Sequence, residues 1–151
     1  MDLAGAEQAR FARQLVLPGF SEAGQSLLRS ARVHLVGAGP LGGPALLYLA
    51  QAGVGTLFVD EGEDIVAGDA AAWLYPPHRT GEPRLLSALA AARSASSLVV
   101  VRPHGSGVHP TATLVCASAR ELALSASERA RRAGLVHVVA LCGGADAEVV
   151  A

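Results

Sequence analysis

The chain has 151 residues, 51% of them hydrophobic and 4% aromatic, with a formal net charge of −1. That length supports one domain with a core built mostly of Ala, Val and Leu, and the charge gives no basic surface for nucleic acid. No apolar run reaches the ~18 to 20 residues that span a bilayer, and the opening MDLAGAEQARFAR lacks the basic start and apolar segment of a signal peptide. A soluble cytoplasmic protein with no membrane or nucleic-acid partner is expected. All twelve basic residues are Arg, Lys and Asn are absent, and Ile65 is the only isoleucine. A high-GC genome produces such a bias, so an Arg in place of a Lys carries little weight alone.

In chain order, Phe11 and Leu15 at helical spacing predict a short amphipathic helix ending before Pro18. SEAGQSLLRSA predicts a second helix with Ser21 as its N-cap. RVHLVG reads as a buried strand, PLGGPALLYLAQAG as a helix stopped by Gly53, and GTLFVD as the next strand, running into Glu61, Glu63 and Asp64. Strand, glycine turn, helix and strand make a right-handed βαβ unit. IVAGDAAAWLYPPHRTG is irregular. EPRLLSALAAARSA is then a helix, SLVVVRP a strand, GSGVHP a loop and ATLVCA a strand. SARELALSASERARRAG is a helix with Glu121, Glu128, Arg129, Arg131 and Arg132 on its exposed face; the strand LVHVVALCG follows, and AEVVA offers a further short strand. Alternating strands and helices give an α/β fold, a Rossmann-like three-layer αβα sandwich around a mostly parallel sheet. It forms a single domain over residues 1–151, with an N-terminal helical pair (6–30), a core (32–142) and a tail (143–151).

Gly37, Gly39 and Gly42 satisfy G-x-G-x-x-G where the first strand meets its helix. The first glycine permits the tight turn, the second lets backbone approach a phosphate, and the third lets helix pack on strand. Free N–H groups at the helix start favour an anion, and Pro40 suits the first turn, where no donor is needed. Asp60 and Glu61 stand where an acidic residue bonds ribose hydroxyls. A nucleotide cradle is one reading; a glycine turn kept for close packing is the other.

The flanks narrow the choice. Arg10, Arg13 and Gln14 form an R-x-x-R-Q helix, followed by Gly19, Phe20, Gly24 and Gln25 in a G-F…GQ segment and then the glycine turn; YLAQAGVGTL continues the pattern. Over about residues 10–65 this resembles the ThiF/MoeB family, the superfamily of ubiquitin-activating enzymes and their bacterial sulfur-carrier-activating relatives. The resemblance implies ATP, used to adenylate the C-terminal glycine of a ubiquitin-like protein with release of pyrophosphate. It also implies an Asp after the second strand on the ribose, an N-x-x-R-Q segment and a Lys on the triphosphate, a later Asp on magnesium, and an Arg from the first helix reaching into the partner's site across a dimer.

Carried over residue by residue, Glu61 and Glu63 fall on the family's two acidic positions, or Asp60 on the first with a one-residue deletion. N-x-x-R-Q becomes Asp69, Ala70, Ala71, Ala72 and Trp73, which removes a guanidinium and adds a carboxylate beside the phosphate path. G-x-P-K becomes Gly81, Glu82, Pro83 and Arg84, a forked donor where a point charge is usual. Ser118 stands where the magnesium Asp is expected; a hydroxyl is a poor sole anchor for a hard cation, and Ser118 reads equally as a helix cap. Trp73 reads as a packing residue. Arg13 is retained, as a residue for a partner's site or as a surface charge pairing with Glu7 or a neighbour.

Cys116 and Cys142 lie in apolar runs with no CxxC, which excludes a structural zinc and reads as buried thiols. His34 and His137 fall within apolar strands and read as satisfied core or edge residues. His104 and His109 could pair on a metal but have no carboxylate near them in sequence, and Ser106 lacks a nucleophile elbow. The expectation is a degenerate, non-catalytic or trans-supporting domain, its ATP binding weak or lost and its magnesium and zinc ligands missing. It would form a homodimer, or a heterodimer with an active adenylating homologue, and bind a ubiquitin-like or peptide partner. Two alternatives stay open: a minimal ATP-dependent adenylyltransferase using Arg13, Arg84, Glu61 and Glu63, and an NAD- or FAD-binding module using Asp60 or Glu61.

Overall fold

In the computed structural model, which describes residues 5–72, 74–105, 107, 109–117, 119–143 and 146–150, two short helices come first, α1 (Gly5–Leu15) and α2 (Glu22–Ser30). Each buries little: Phe11 on α1 and Gln25 on α2 are buried, and Leu28 of α2 packs against the main core. Ser21 sits at the N-cap of α2 but makes no side-chain cap bond. The sheet strands and their helices follow as β1 (Arg32–Val36), α3 (Gly42–Ala52), β2 (Thr56–Asp60), α4 (Arg84–Ala95), β3 (Val100–Pro103), β4 (Ala112–Ala117), α5 (Arg120–Arg132), β5 (Val136–Gly143) and β6 (Asp146–Val150). The irregular stretch after β2 contains two 3-10 segments, Ala67–Ala72 and Pro77–Arg79.

The six strands lie in the order β3-β2-β1-β4-β5-β6. All pairs are parallel except β5 with β6, which is antiparallel. The period-2 alternation of a strand sorts the core into two halves. Leu35, Leu57, Val59 and Val101 meet Leu46 and Ala50 of α3 and Ala88, Leu89 and Ala92 of α4. Val36, Val115 and Ala117 turn the other way and meet Ala123 and Ala126 of α5. The result is the expected three-layer αβα sandwich, with small Ala side chains letting the helices close on the sheet.

Two glycines of the turn are there for packing. Gly37 has φ +83, and a Cβ on it would lie 2.1 Å from the Cys116 carbonyl oxygen. A Cβ on Gly42 would lie 1.8 Å from the Gly37 carbonyl oxygen. Gly39 differs, since its added Cβ would meet only the Arg84 guanidinium, at 3.7 Å. Helix α3 begins at Gly42, so Pro40 precedes it and Pro44 takes the first-turn place where no N–H is needed. Gly53, at φ +94, ends the helix as expected.

Helices α3 and α4 both start at the C-terminal ends of the strands and run to the opposite end of the sheet. There the N-terminal pair is fastened: Gln25 Nε2 donates to the Ala52 carbonyl at 3.0 Å and Arg10 Nη2 to the Ala95 carbonyl at 3.1 Å. None of the described helices is long and apolar enough to cross a membrane.

Candidate functional site

Strand order reverses between β1 and β4, and in an open α/β sheet the crevice beyond such a switch point is where ligands bind. A cleft of about 550 Å³ opens there. Its walls include the glycine turn, the end of β2 and the start of α4. The turn is held from both sides. Gly37 N–H donates to the Asp60 carbonyl at 2.9 Å, and Ala38 N–H donates to Glu61 Oε2 at 2.7 Å. The Ala38 carbonyl accepts from the buried Tyr75 hydroxyl, whose pKa burial pushes up, so the phenol stays a donor.

Arg84, the first residue of α4, lies at the floor of the cleft. Its Nη2 donates to Asp69 Oδ2 at 2.8 Å and to the Asp64 carbonyl at 3.1 Å. Its Nη1 donates to Glu63 Oε2 at 2.9 Å and Glu61 Oε2 at 3.2 Å, and its Nε to Asp69 Oδ2 at 3.2 Å. The side chains of Arg84, Asp69 and Glu61 are 5%, 2% and 4% exposed. Charges this deep are tolerated only when paired and hydrogen-bonded. Burial works against the guanidinium charge, but the bonds to Glu63, Asp69 and Glu61 outweigh it and move the pKa of Arg84 up. Asp69 Oδ2 also accepts from Val66 N–H at 2.9 Å, which fixes the 3-10 segment under the site. Among the cleft's charged lining residues, Asp60, Glu61, Glu63 and Asp69 face a single guanidinium. An anionic ligand therefore meets a cation whose donors are already taken.

The structure brings Gly37, Gly39, Asp60, Glu61, Glu63 and Arg84 to one cleft. Gly42 lies behind it as the packing glycine. Glu61 is the carboxylate turned into the fold, while the Asp60 side chain is 53% exposed and lies 3.8 Å from His34 Nε2. Arg13 is exposed on α1, the helix fastened at the far end of the sheet. Glu7 pairs with Arg29 at 2.8 Å, not with Arg13, because α1 and α2 face each other. Trp73, Ser106 and Ser118 lie outside the described residues, as does the Cys142 side chain. Cys116 is a buried free thiol, and burial pushes its pKa up to about 11, so it is no nucleophile at neutral pH.

His34 departs from the satisfied core residue expected of it: its Nε2 is buried without a hydrogen-bond partner. Its ring stacks on His104, centroids 3.8 Å apart. Burial first, then His104 and Arg129, push its pKa down to about 4, with Asp60 opposing. The carboxylate missing near His104 in sequence is supplied in space, because adjacent parallel strands end side by side.

Residues 11–128 match the model of the ThiF family. The chain belongs to the ThiF family. Among curated relatives, the adenylyltransferase and sulfurtransferase uba4 of Pyricularia oryzae is 35% identical over 127 residues, covering 83% of this chain and 26% of that protein. The adenylyltransferase and sulfurtransferase MOCS3 of Arabidopsis thaliana is 36% identical over 127 residues, covering 79% and 26%. This ThiF-family chain thus spans about a quarter of the length of these relatives. Its fold matches the E. coli tRNA N6-threonylcarbamoyladenosine dehydratase TcdA with a TM-score of 0.80 at 18% identity, over 92% of this chain and 62% of that one. It matches E. coli MccB, solved with succinimide, with a TM-score of 0.77 at 17% identity, over 87% and 44%.

Sequence reasoning names Asp69 and Arg84 separately, each as a departure from the family pattern. Their pairing escapes it, although the two departures together are a signal: a carboxylate gained and a forked donor gained at positions that share one pocket.

Proposed function

We propose that this ThiF-family chain is a degenerate domain that no longer holds a triphosphate with magnesium and acts as a non-catalytic or trans-supporting half. The observation that carries this reading is the Arg84–Asp69 pair at the cleft floor, 2.8 Å and buried. Among the described lining residues the one cation is bound internally and the remaining charges are carboxylates, while the guanidinium expected at position 72 is Ala72. A polyphosphate would have to break a buried ion pair, whose loss costs several kcal/mol, about 3 to 5, and then face uncompensated negative charge.

The cleft keeps the features that suit the neutral part of a nucleotide. Gly39, which packing does not require, leaves backbone open toward the cleft, and Asp60, exposed at the end of β2, lines the same cleft as a carboxylate for ribose hydroxyls. Arg13 supports a trans role: on a helix fastened away from this chain's own cleft, it is exposed and, among the described residues, has no ion pair. The free edge at β6 and the exposed Val136, Val149 and Val150 offer a surface for a second ThiF-like chain, of its own kind or an active one. A ubiquitin-like or peptide partner and a cytoplasmic location belong to the same reading. It extends from relatives named as adenylyltransferases and from TcdA, which has been solved in complex with AMP.

Pyrophosphate exchange from ATP and magnesium, with and without a ubiquitin-like carrier, tests it. The expected result is no exchange by this chain alone, and tighter ATP binding, by roughly tenfold, in the D69N/A72R double variant. Robust exchange by the unmodified chain would instead favour the minimal adenylyltransferase, and NAD binding tighter than AMP in calorimetry would favour a dinucleotide module.

A further inference from the structure

We propose that His34, Asp60 and His104 form a binding site for a divalent transition-metal ion, with Zn²⁺ as the reference ligand. The three residues come from neighbouring strands, His34 within β1, Asp60 at the end of β2 and His104 directly after β3. Register places them on one face: His34 pairs with Phe58, Val36 with Asp60, and Phe58 with Arg102, so His34, Asp60 and Arg102 share a side and His104 follows Arg102 by two. It is the face opposite α3 and α4. One ligand atom from each of the three lies within 4.8 Å of the others, with His34 Nε2 and Asp60 Oδ2 3.8 Å apart. Ligands at ~2.0 to 2.2 Å from one tetrahedral ion stand roughly 3.3 to 3.6 Å apart. A contraction of that order is open to the exposed Asp60 and to His104, which follows β3 and must also turn out of its parallel stack on His34 for both imidazole lone pairs to meet one ion, while His34 is held by the sheet.

A second observation points to a ligand here. His34 Nε2 is buried with no hydrogen-bond partner, although it faces the Asp60 carboxylate. A buried nitrogen without a partner is unfavourable, and an ion between imidazole and carboxylate would supply the partner that His34 Nε2 lacks. Two imidazoles and one carboxylate favour Zn²⁺, Co²⁺ or Ni²⁺ over Mg²⁺ or Ca²⁺, which prefer all-oxygen shells. Three protein ligands leave coordination positions open, and Asp60 also lines the nucleotide cleft, so the ion would lie at its rim. The three ligands are two imidazoles and a carboxylate with no thiolate, which separates this site from a cysteine-ligated zinc.

Titrating the chelator-treated protein with Co²⁺, followed by visible absorption and calorimetry and then by Zn²⁺ competition, tests the proposal. One Co²⁺ per chain is expected, with d–d bands, no thiolate charge-transfer band, and displacement by Zn²⁺. His104→Ala and Asp60→Asn are solvent-facing changes that leave the core intact, and each should weaken binding roughly tenfold or more. His34→Gln should do the same where it folds, and Cys116→Ala should change nothing. No binding up to millimolar Co²⁺, a thiolate band, or unchanged affinity in His104→Ala would overturn the proposal, leaving a water as the partner of His34.

Discussion

Arg84 is the residue on which the site turns, because its charge is satisfied wholly from within the fold. Replacing it with Met would leave Asp69 and Glu61 buried without their counter-ion. Urea unfolding should then show a loss of about 3 to 5 kcal/mol. Asp69→Asn keeps an acceptor for Val66 N–H and should cost clearly less. Cys116 gives a second test at this scale. With its thiol pushed up to about 11 by burial, it should resist a disulfide reagent at pH 8 in the native protein and react only after unfolding. Both residues were visible in the sequence, Cys116 as a buried thiol. The buried state of Arg84 was not, since Asp69 lies in a 3-10 segment and meets Arg84 across an irregular stretch that has no periodic signal to read.

At the scale of elements, the glycine turn separates packing from ligand access. Gly42→Ala would drive a Cβ to 1.8 Å from the Gly37 carbonyl oxygen, a contact with backbone that cannot swing aside. A fall in thermal midpoint equivalent to 2 kcal/mol or more, about the upper range for point changes, is expected. Gly39→Ala meets only the flexible Arg84 guanidinium at 3.7 Å, so its stability should stay within about 0.5 kcal/mol of the parent. The elements themselves were legible because strand and helix periods differ and Gly53 marks the end of α3. The short tail strand that AEVVA offers is present as β6. Its antiparallel direction follows from the two-residue connection to β5, too short for a crossover. What periodicity does not carry is which strand ends meet, and the His34, Asp60 and His104 cluster depends on that.

For the whole molecule, the sheet order places one polar cluster on each side of β2, and each gives the fold a distinct response to pH. His34 faces His104, Asp60 and Arg129, and its pKa in the fold, about 4, lies below the unfolded value of about 6.5. The unfolded chain therefore takes up the proton first. Without metal, stability should be full above about pH 6.5 and decline as pH falls toward 4. Urea midpoints across that range check it, and His34→Gln should flatten the slope. On the other side of β2, the bond from Ala38 N–H to Glu61 sets how the cleft chooses among ligands. A phosphate arriving at the turn must evict a tethered rival, whose effective concentration is on the order of millimolar or above. A sugar hydroxyl carries no charge and does not compete with Glu61 for the Ala38 N–H or the Arg84 guanidinium. Affinity should accordingly fall from adenosine to AMP to ATP, so that the molecule reads the nucleoside and is penalised for each phosphate that trails behind it.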